Sequence, residues 1–310
     1  MMDKKLTRTD YMFSLFFIFM LVSVLGAFFY GLKLGTERIE AKQQALIDKK
    51  AELAQGQTAY NQSYLVSFYH TIYLPYKEFE AHWFKSMNDI EVRGSSLDPA
   101  SIIKDIGKVA DEKYNTLLSQ SMPSTSPLLQ DGLQNYLKSL KLFNEAAKNF
   151  QANANSLQGS LVSSQIEKDV YFSEAKMYAL LAQKNFFDSI VKWNQTLVLE
   201  PIKGLDLIKN VAMTITDWNL LSLNVKNDFI TSLMLSNKYF KPYTPQDLVI
   251  RIDEMIKSGQ AKKLNASTVV ELADILVGTG AVRSGDFING KIKWYGQETL
   301  PQLPFFFNPA

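Results

Sequence analysis

Acids and a histidine crowd together at Glu78, Glu80 and His82, within the run EFEAHW. Four residues apart on a helix, Glu78 and His82 share a face, and a carboxylate beside an imidazole is a pairing that general acid–base catalysis uses. Pro75 lies just upstream, however, and a proline there should kink or restart the helix. Acids in a first turn are favoured by the helix dipole whether or not they do chemistry, so the cluster reads as a helix start. The chain has only two histidines, His70 and His82, on opposite sides of that proline, which is a poor basis for a zinc site. It has no cysteine, which excludes disulfides, thiolate metal sites and cysteine nucleophiles. No G-x-S-x-G elbow, G-x-x-x-x-G-K-[ST] loop or G-x-G-x-x-G fingerprint occurs. The sequence therefore assigns no catalytic residue, no cofactor and no metal ligand, and it points away from an enzyme.

Two aromatic groups could instead bind. Residues 59–90 carry Tyr60, Tyr64, Phe68, Tyr69, Tyr73, Tyr76, Phe79, Trp83 and Phe84, many at helical spacing. Such rings could stack on sugars or lipid headgroups, but large aromatics dominate core burial and a bulky core face is the better reading. Phe305, Phe306 and Phe307 stand together near the end of the chain, between Pro304 and Pro309. They form a tail that either docks into the protein's own groove or waits for a partner. Docking is the expectation, and deleting residues 303–310 should then lower the melting temperature.

The elements that would position these groups begin with an anchor. Tyr11 to Leu32 reads YMFSLFFIFMLVSVLGAFFYGL without one charged residue. A helix of that length, at about 1.5 Å per residue, crosses the roughly 30 Å hydrocarbon layer. Tyr11 and Tyr30 fall where interfacial aromatics lie, and Asp10 and Lys33 mark the wet ends. A cleavable signal peptide fits less well: the apolar run is too long, and a cut before Phe28 would put Leu25 where a small residue is needed. The sequence thus predicts a short cytoplasmic tail over 1–10 and a retained single-pass anchor over 11–34, in contact with membrane lipid. Lys4, Lys5 and Arg8 precede the helix, while Lys33, Arg38, Lys42, Lys49 and Lys50 follow it, interleaved with acids. Large C-terminal domains translocate largely regardless of charge, so the expected orientation is N-terminus inside and body outside the cell membrane. Ser23, Ala27, Gly31 and Gly35 recur every fourth residue and would form a small-residue ridge for helix packing, with itself or with a membrane partner.

Beyond the anchor the pattern is mainly α. Residues 35–57 read as a polar helical stalk with Ile39, Leu46 and Leu53 seven apart, a seam that could serve a short coiled coil. Residues 58–240 read as an up-and-down helical bundle. Asp98-Pro99, Ser126-Pro127 and Thr244-Pro245 each set a capping residue before a proline at the first helical position. Ile103, Ile106, Ala110, Tyr114 and Leu117 line one face, and Leu133, Tyr136, Leu140, Phe143, Ala147, Phe150 and Ala154 form a heptad seam. A long helical stretch is expected between roughly 160 and 197, and one or two more over 203–235.

Residues 241–310 read as a small α+β appendage: two helices, then a hairpin turning at Asn289-Gly290 in GDFINGKIKWYG, then the aromatic tail. Helix, helix, hairpin is also the order of a winged helix-turn-helix. Its reading helix, however, would carry Glu271 and Asp274 and no Lys or Arg, a poor match to phosphate. Removing the four basic and two acidic residues of the first 35 leaves 29 of each sign, so the body is electrically balanced and nucleic acid is not an expected partner. These readings converge on a membrane-anchored helical binding or scaffold protein of the cell envelope, acting through protein–protein contacts or self-association without catalysis. One alternative is a sensor-like ligand-binding bundle, or an enzyme whose site is assembled from distant residues. Another, if the topology is reversed, is a membrane-tethered cytoplasmic adaptor.

Overall fold

A computed structural model describes residues 16–17, 19–20, 59–93, 98–154, 159–197 and 213–307. The chain divides into two units, Met1–Ala54 and Gln55–Ala310, and the second holds every helix from Gln62 onward. The predicted stalk and the small-residue ridge at Ser23, Ala27, Gly31 and Gly35 lie outside the described residues, as does the anchor apart from helical Phe16, Phe17, Phe19 and Met20. Among the described residues no helix is long and apolar enough to cross a membrane.

The fold is mainly helical. Helix α1 (Gln62–Phe68) runs into a π-helical turn (Tyr69–Tyr73) and on into α2 (Leu74–Arg93). Asn61 caps α1, its side chain accepting from the Tyr64 backbone N–H. Pro75 does not break this helix. A proline inside an α-helix has no N–H to offer and its ring crowds the preceding turn. Here that turn is widened instead, with the Leu74 N–H bonded to the Tyr69 carbonyl, and the chain passes through. Helix α3 (Pro99–Leu118) starts at Asp98, whose carboxylate accepts from the Ser101 N–H, and α4 (Pro127–Ala154) starts after Ser126. The stretch from 159 onward is divided. Asp169 accepts from the Phe172 N–H and caps a fresh start, giving α5 (Gly159–Lys168) and α6 (Val170–Leu197). Then come α7 (Ile215–Trp218), α8 (Leu223–Ser236), α9 (Pro245–Lys257), α10 (Gln260–Lys263), α11 (Val269–Gly278) and α12 (Asp286–Tyr295), and a 3-10 turn at Pro304–Phe306.

Packing follows chain order. Helix α2 lies against α3 and α5, α3 against α4, α4 against α6, and α6 against α8; α9 then gathers α8, α10, α11 and α12 around itself. The predicted aromatic and heptad faces form the core. Tyr76, Phe79 and Trp83 of α2 meet Tyr136 and Phe143 of α4, with ring centroids 4.1 Å apart for Tyr76–Tyr136 and 4.8 Å for Trp83–Phe143. Gly132 lets Phe68 approach α4, where an added Cβ would sit 3.0 Å from that ring.

The expected hairpin is not there. Residues 286–295 form α12, and among the described residues no strand occurs, only an isolated bridge between Thr214 and Thr268. The C-terminal region is therefore all helix and turn rather than α+β. The spacing explains the error: Phe287, Gly290 and Tyr295 recur at helical intervals and are the buried residues of this helix. Gly290 serves close packing instead of a turn, since a Cβ there would lie 2.5 Å from Ile250 Cγ1.

Candidate functional site

The acid–histidine pairing set aside in the sequence does not form: Glu78 and His82 each face α3. Glu78 pairs with Lys113 of α3. Glu80 is buried and bonded to Lys77 at 2.5 Å; burial raises its pKa and Lys77 opposes the rise. His82 instead faces Asp105, with Nε2 3.0 Å from Oδ2, and Ser86 Oγ stands 3.5 Å from the same nitrogen. Serine, histidine and aspartate thus lie together, but a relay needs the serine on one ring nitrogen and the acid on the other. With both on Nε2, and Ser86 buried in the α2 face, the cluster is a tie between α2 and α3. His70 is exposed, its ring edge-on to Tyr69. Among the described residues no group of three His, Asp or Glu could hold a metal ion.

The polar groups that the fold does gather lie around α8, which is buried on almost every side, including Asn224, Lys226, Asn227, Asp228 and Thr231. Sequence reasoning took this segment for an ordinary helix and singled out none of them. Three joints radiate from it. Lys226 Nζ lies 3.0 and 3.3 Å from the two oxygens of Asp253 on α9 and 2.9 Å from the Tyr295 hydroxyl of α12. Asp253 also accepts from Trp218 Nε1 at 2.7 Å and from the Tyr295 hydroxyl. The ammonium stands about 5 Å from both aromatic rings. Burial lowers the Lys226 pKa, with Asp253 opposing, and burial followed by the charge of Asp253 raises that of Tyr295.

Asn224 donates to Asn194 of α6 and to the Thr299 carbonyl, while Glu298 accepts from the Leu223 N–H at 2.7 Å. The third joint sets Asp228 beside Lys184 and Asp188 of α6. A related clasp closes the C-terminal region. The buried Asp247 carboxylate accepts from the Thr244 N–H at the start of α9 and from the N–H groups of Gly285 and Phe287 at the start of α12. Gly285 has φ +90°, which only glycine adopts freely.

The tail residues divide. Phe305 is half-buried against Tyr69, Tyr73, Phe186 and Phe187, and Phe306 is fully buried beside Phe287, with Lys291 donating to its carbonyl. Phe307 is 42% exposed, with Lys291 Nζ 4.2 Å from its ring centroid.

An open concavity lies on the α3–α4 face, a groove of about 420 Å³. Gly107 and Ala147 make its floor, so close that a Cβ on Gly107 would sit 3.0 Å from that of Ala147. Lys104, Lys108 and Lys148 supply positive charge along it, and Asp111 and Glu112 negative charge. Asp111 accepts from Asn144 at 2.9 Å, and Lys108 pairs loosely with Glu112 at 3.9 Å. Compared with known protein families, curated proteins and solved structures, the chain matches none.

Proposed function

We propose that this chain is a membrane-anchored helical scaffold of the cell envelope that binds a protein partner through the α3–α4 groove, with residues 11–34 as its anchor. The groove is the observation that carries this reading. It is open, runs from Lys104 to Glu112 along α3, has a floor of small residues and is lined by charges of both signs. Such a channel suits a partner helix laid along it. The titratable clusters around α8 favour a binding role over a catalytic one, because their groups are turned on one another in the interior.

The test uses the full chain in its own membrane, with a photo-crosslinking residue at Lys104, at Lys148 or, as control, at exposed Lys262. Discrete adducts from the two groove positions and none from Lys262 are expected. No adduct at the groove, or the same adducts from all three positions, would overturn the reading. Fusions of alkaline phosphatase and of a cytoplasm-maturing fluorescent protein to the C-terminus report the side of the membrane. Phosphatase activity is expected, and fluorescence alone would make the protein a cytoplasmic adaptor instead.

A further inference from the structure

Around Asp228 two acidic side chains from facing helices share one cation. The Lys184 ammonium lies 2.6 and 2.8 Å from the two oxygens of Asp188, its neighbour one turn along α6. It is 3.6 Å from Asp228 Oδ1, beyond hydrogen-bond reach. Its charge is thus committed mainly to Asp188. Asp228 is only 7% exposed, and its Oδ1 has no hydrogen-bond partner. A buried carboxylate with an incomplete ion pair is the form that desolvation disfavours, whereas the protonated acid is itself a donor and can bond to a neighbouring carboxylate.

We propose that Lys184, Asp188 and Asp228 form a proton-binding site, with Asp228 carrying the proton, and that the α6–α8 junction is built for the protonated form. Burial, and after it the hydrogen bond and charge of Asp188, push Asp228 up to about 8, against the attraction of Lys184. The two carboxylates hold Lys184 above its usual value even though burial works the other way. Other charged groups near α8 are engaged elsewhere. Lys226 is held by Asp253, and Asp247 of α9 by the start of α12. Beyond Asp188 lies Tyr60, whose hydroxyl feels both Asp131 and Asp188. Loss of the proton places a second negative charge on the α6–α8 contact. Because α8 also holds Asn194 and the Thr299 carbonyl through Asn224, the grip of α8 on the bundle and on the C-terminal segment becomes sensitive to pH near neutrality.

The sign follows from linkage. The folded state keeps this proton to about pH 8, whereas the unfolded aspartate releases it near pH 4. The contribution of Asp228 to stability is therefore complete below about pH 4. It declines as pH rises through the window from about 4 to 8, and is level above that.

Two measurements on the full chain in detergent test the site. By infrared difference spectroscopy, a protonated-carboxyl band should vanish with a midpoint near pH 8. That band should be missing in Asp228→Asn, and in Asp188→Asn, where the neighbouring charge is gone, its midpoint should move down. By thermal melting, the advantage of wild type over Asp228→Asn should shrink from pH 5 to pH 8 and then stay constant. Absence of the band at pH 6, or superimposable melting profiles, would overturn the proposal. Should Asp228→Asn fail to fold, the wild-type band and its shift in Asp188→Asn decide alone.

Discussion

Helices α4 and α8 both bury a core face, yet the balance of apolar and polar contacts that holds them differs. Helix α4 buries a seam of Leu133, Tyr136, Leu140, Phe143 and Ala147, packed mainly ring on ring, with Ser139 as a polar tie to Tyr76 and to the Ala175 carbonyl. Helix α8 buries Leu223, Phe229, Ile230 and Met234 and, beside them, polar groups that reach three other helices by hydrogen bonds, Asn224 to Asn194 and Lys226 to Asp253 and Tyr295. Apolar packing is non-directional and tolerates exchange within limits of volume. Buried polar joints tolerate little, because each group left without its partner keeps its full desolvation cost. The bundle should accordingly respond to mutation by volume, and α8 by partner.

The sharpest way to separate the two is a double-mutant cycle at Lys226 and Asp253. Either Lys226→Met or Asp253→Leu alone strands a buried charge and should cost about 3–5 kcal/mol in urea unfolding. The double variant should recover most of that loss, since an apolar pair often replaces a buried ion pair well; simple additivity would show that the pair is not coupled. Phe143→Ala, which leaves Phe79, Trp83 and Phe172 facing a void, should also cost about 3–5 kcal/mol. There, Lys226→Met added on top should behave additively, as distant sites do. A smaller effect is expected at Gly290→Ala, where the new methyl overlaps Ile250. A loss of about 1–3 kcal/mol is the range for overpacking, whereas a hairpin glycine exposed at a turn would respond differently. The smallest is Asn61→Ala, which removes the cap from α1 and should lower stability by about 1 kcal/mol. An unchanged melting curve would mean that the helix start is held by packing alone.

Much of the bundle is legible in the sequence, for physical reasons that act locally. Asp98-Pro99 and Thr244-Pro245 start helices because the cap and the fixed proline φ need no tertiary help. The seam of α4 is readable because a 3–4 spacing of large apolar residues has few other uses. One expectation fails where the local signal is ambiguous. Asn289-Gly290 is a strong turn dipeptide, but the packing of α12 on α9 needs a residue without a side chain at 290, and that demand prevails. Pro75 is expected to kink or restart its helix, and the α-helical run does restart at Leu74, after a π-turn whose presence the sequence does not announce.

By itself, then, the sequence determined where α3, α4 and α9 start, which faces of α2, α3 and α4 are apolar, the absence of cysteine chemistry and the electrical balance of the body. These follow from spacing and composition, which do not depend on where the chain goes next. Only the tertiary structure decided what the polar face of α8 would meet. In sequence, Asn224, Asn227, Asp228 and Thr231 form the stripe that ordinarily faces water. In the fold it is buried: Asn224 meets Asn194 of α6 and the Thr299 carbonyl, and Asp228 lies beside Lys184, while Lys226 on a neighbouring face meets Asp253 and, 69 residues away, Tyr295. A polar stripe looks the same whether its partner is water or another helix, because the hydrogen-bonding need is written in the residue and the identity of the partner is not.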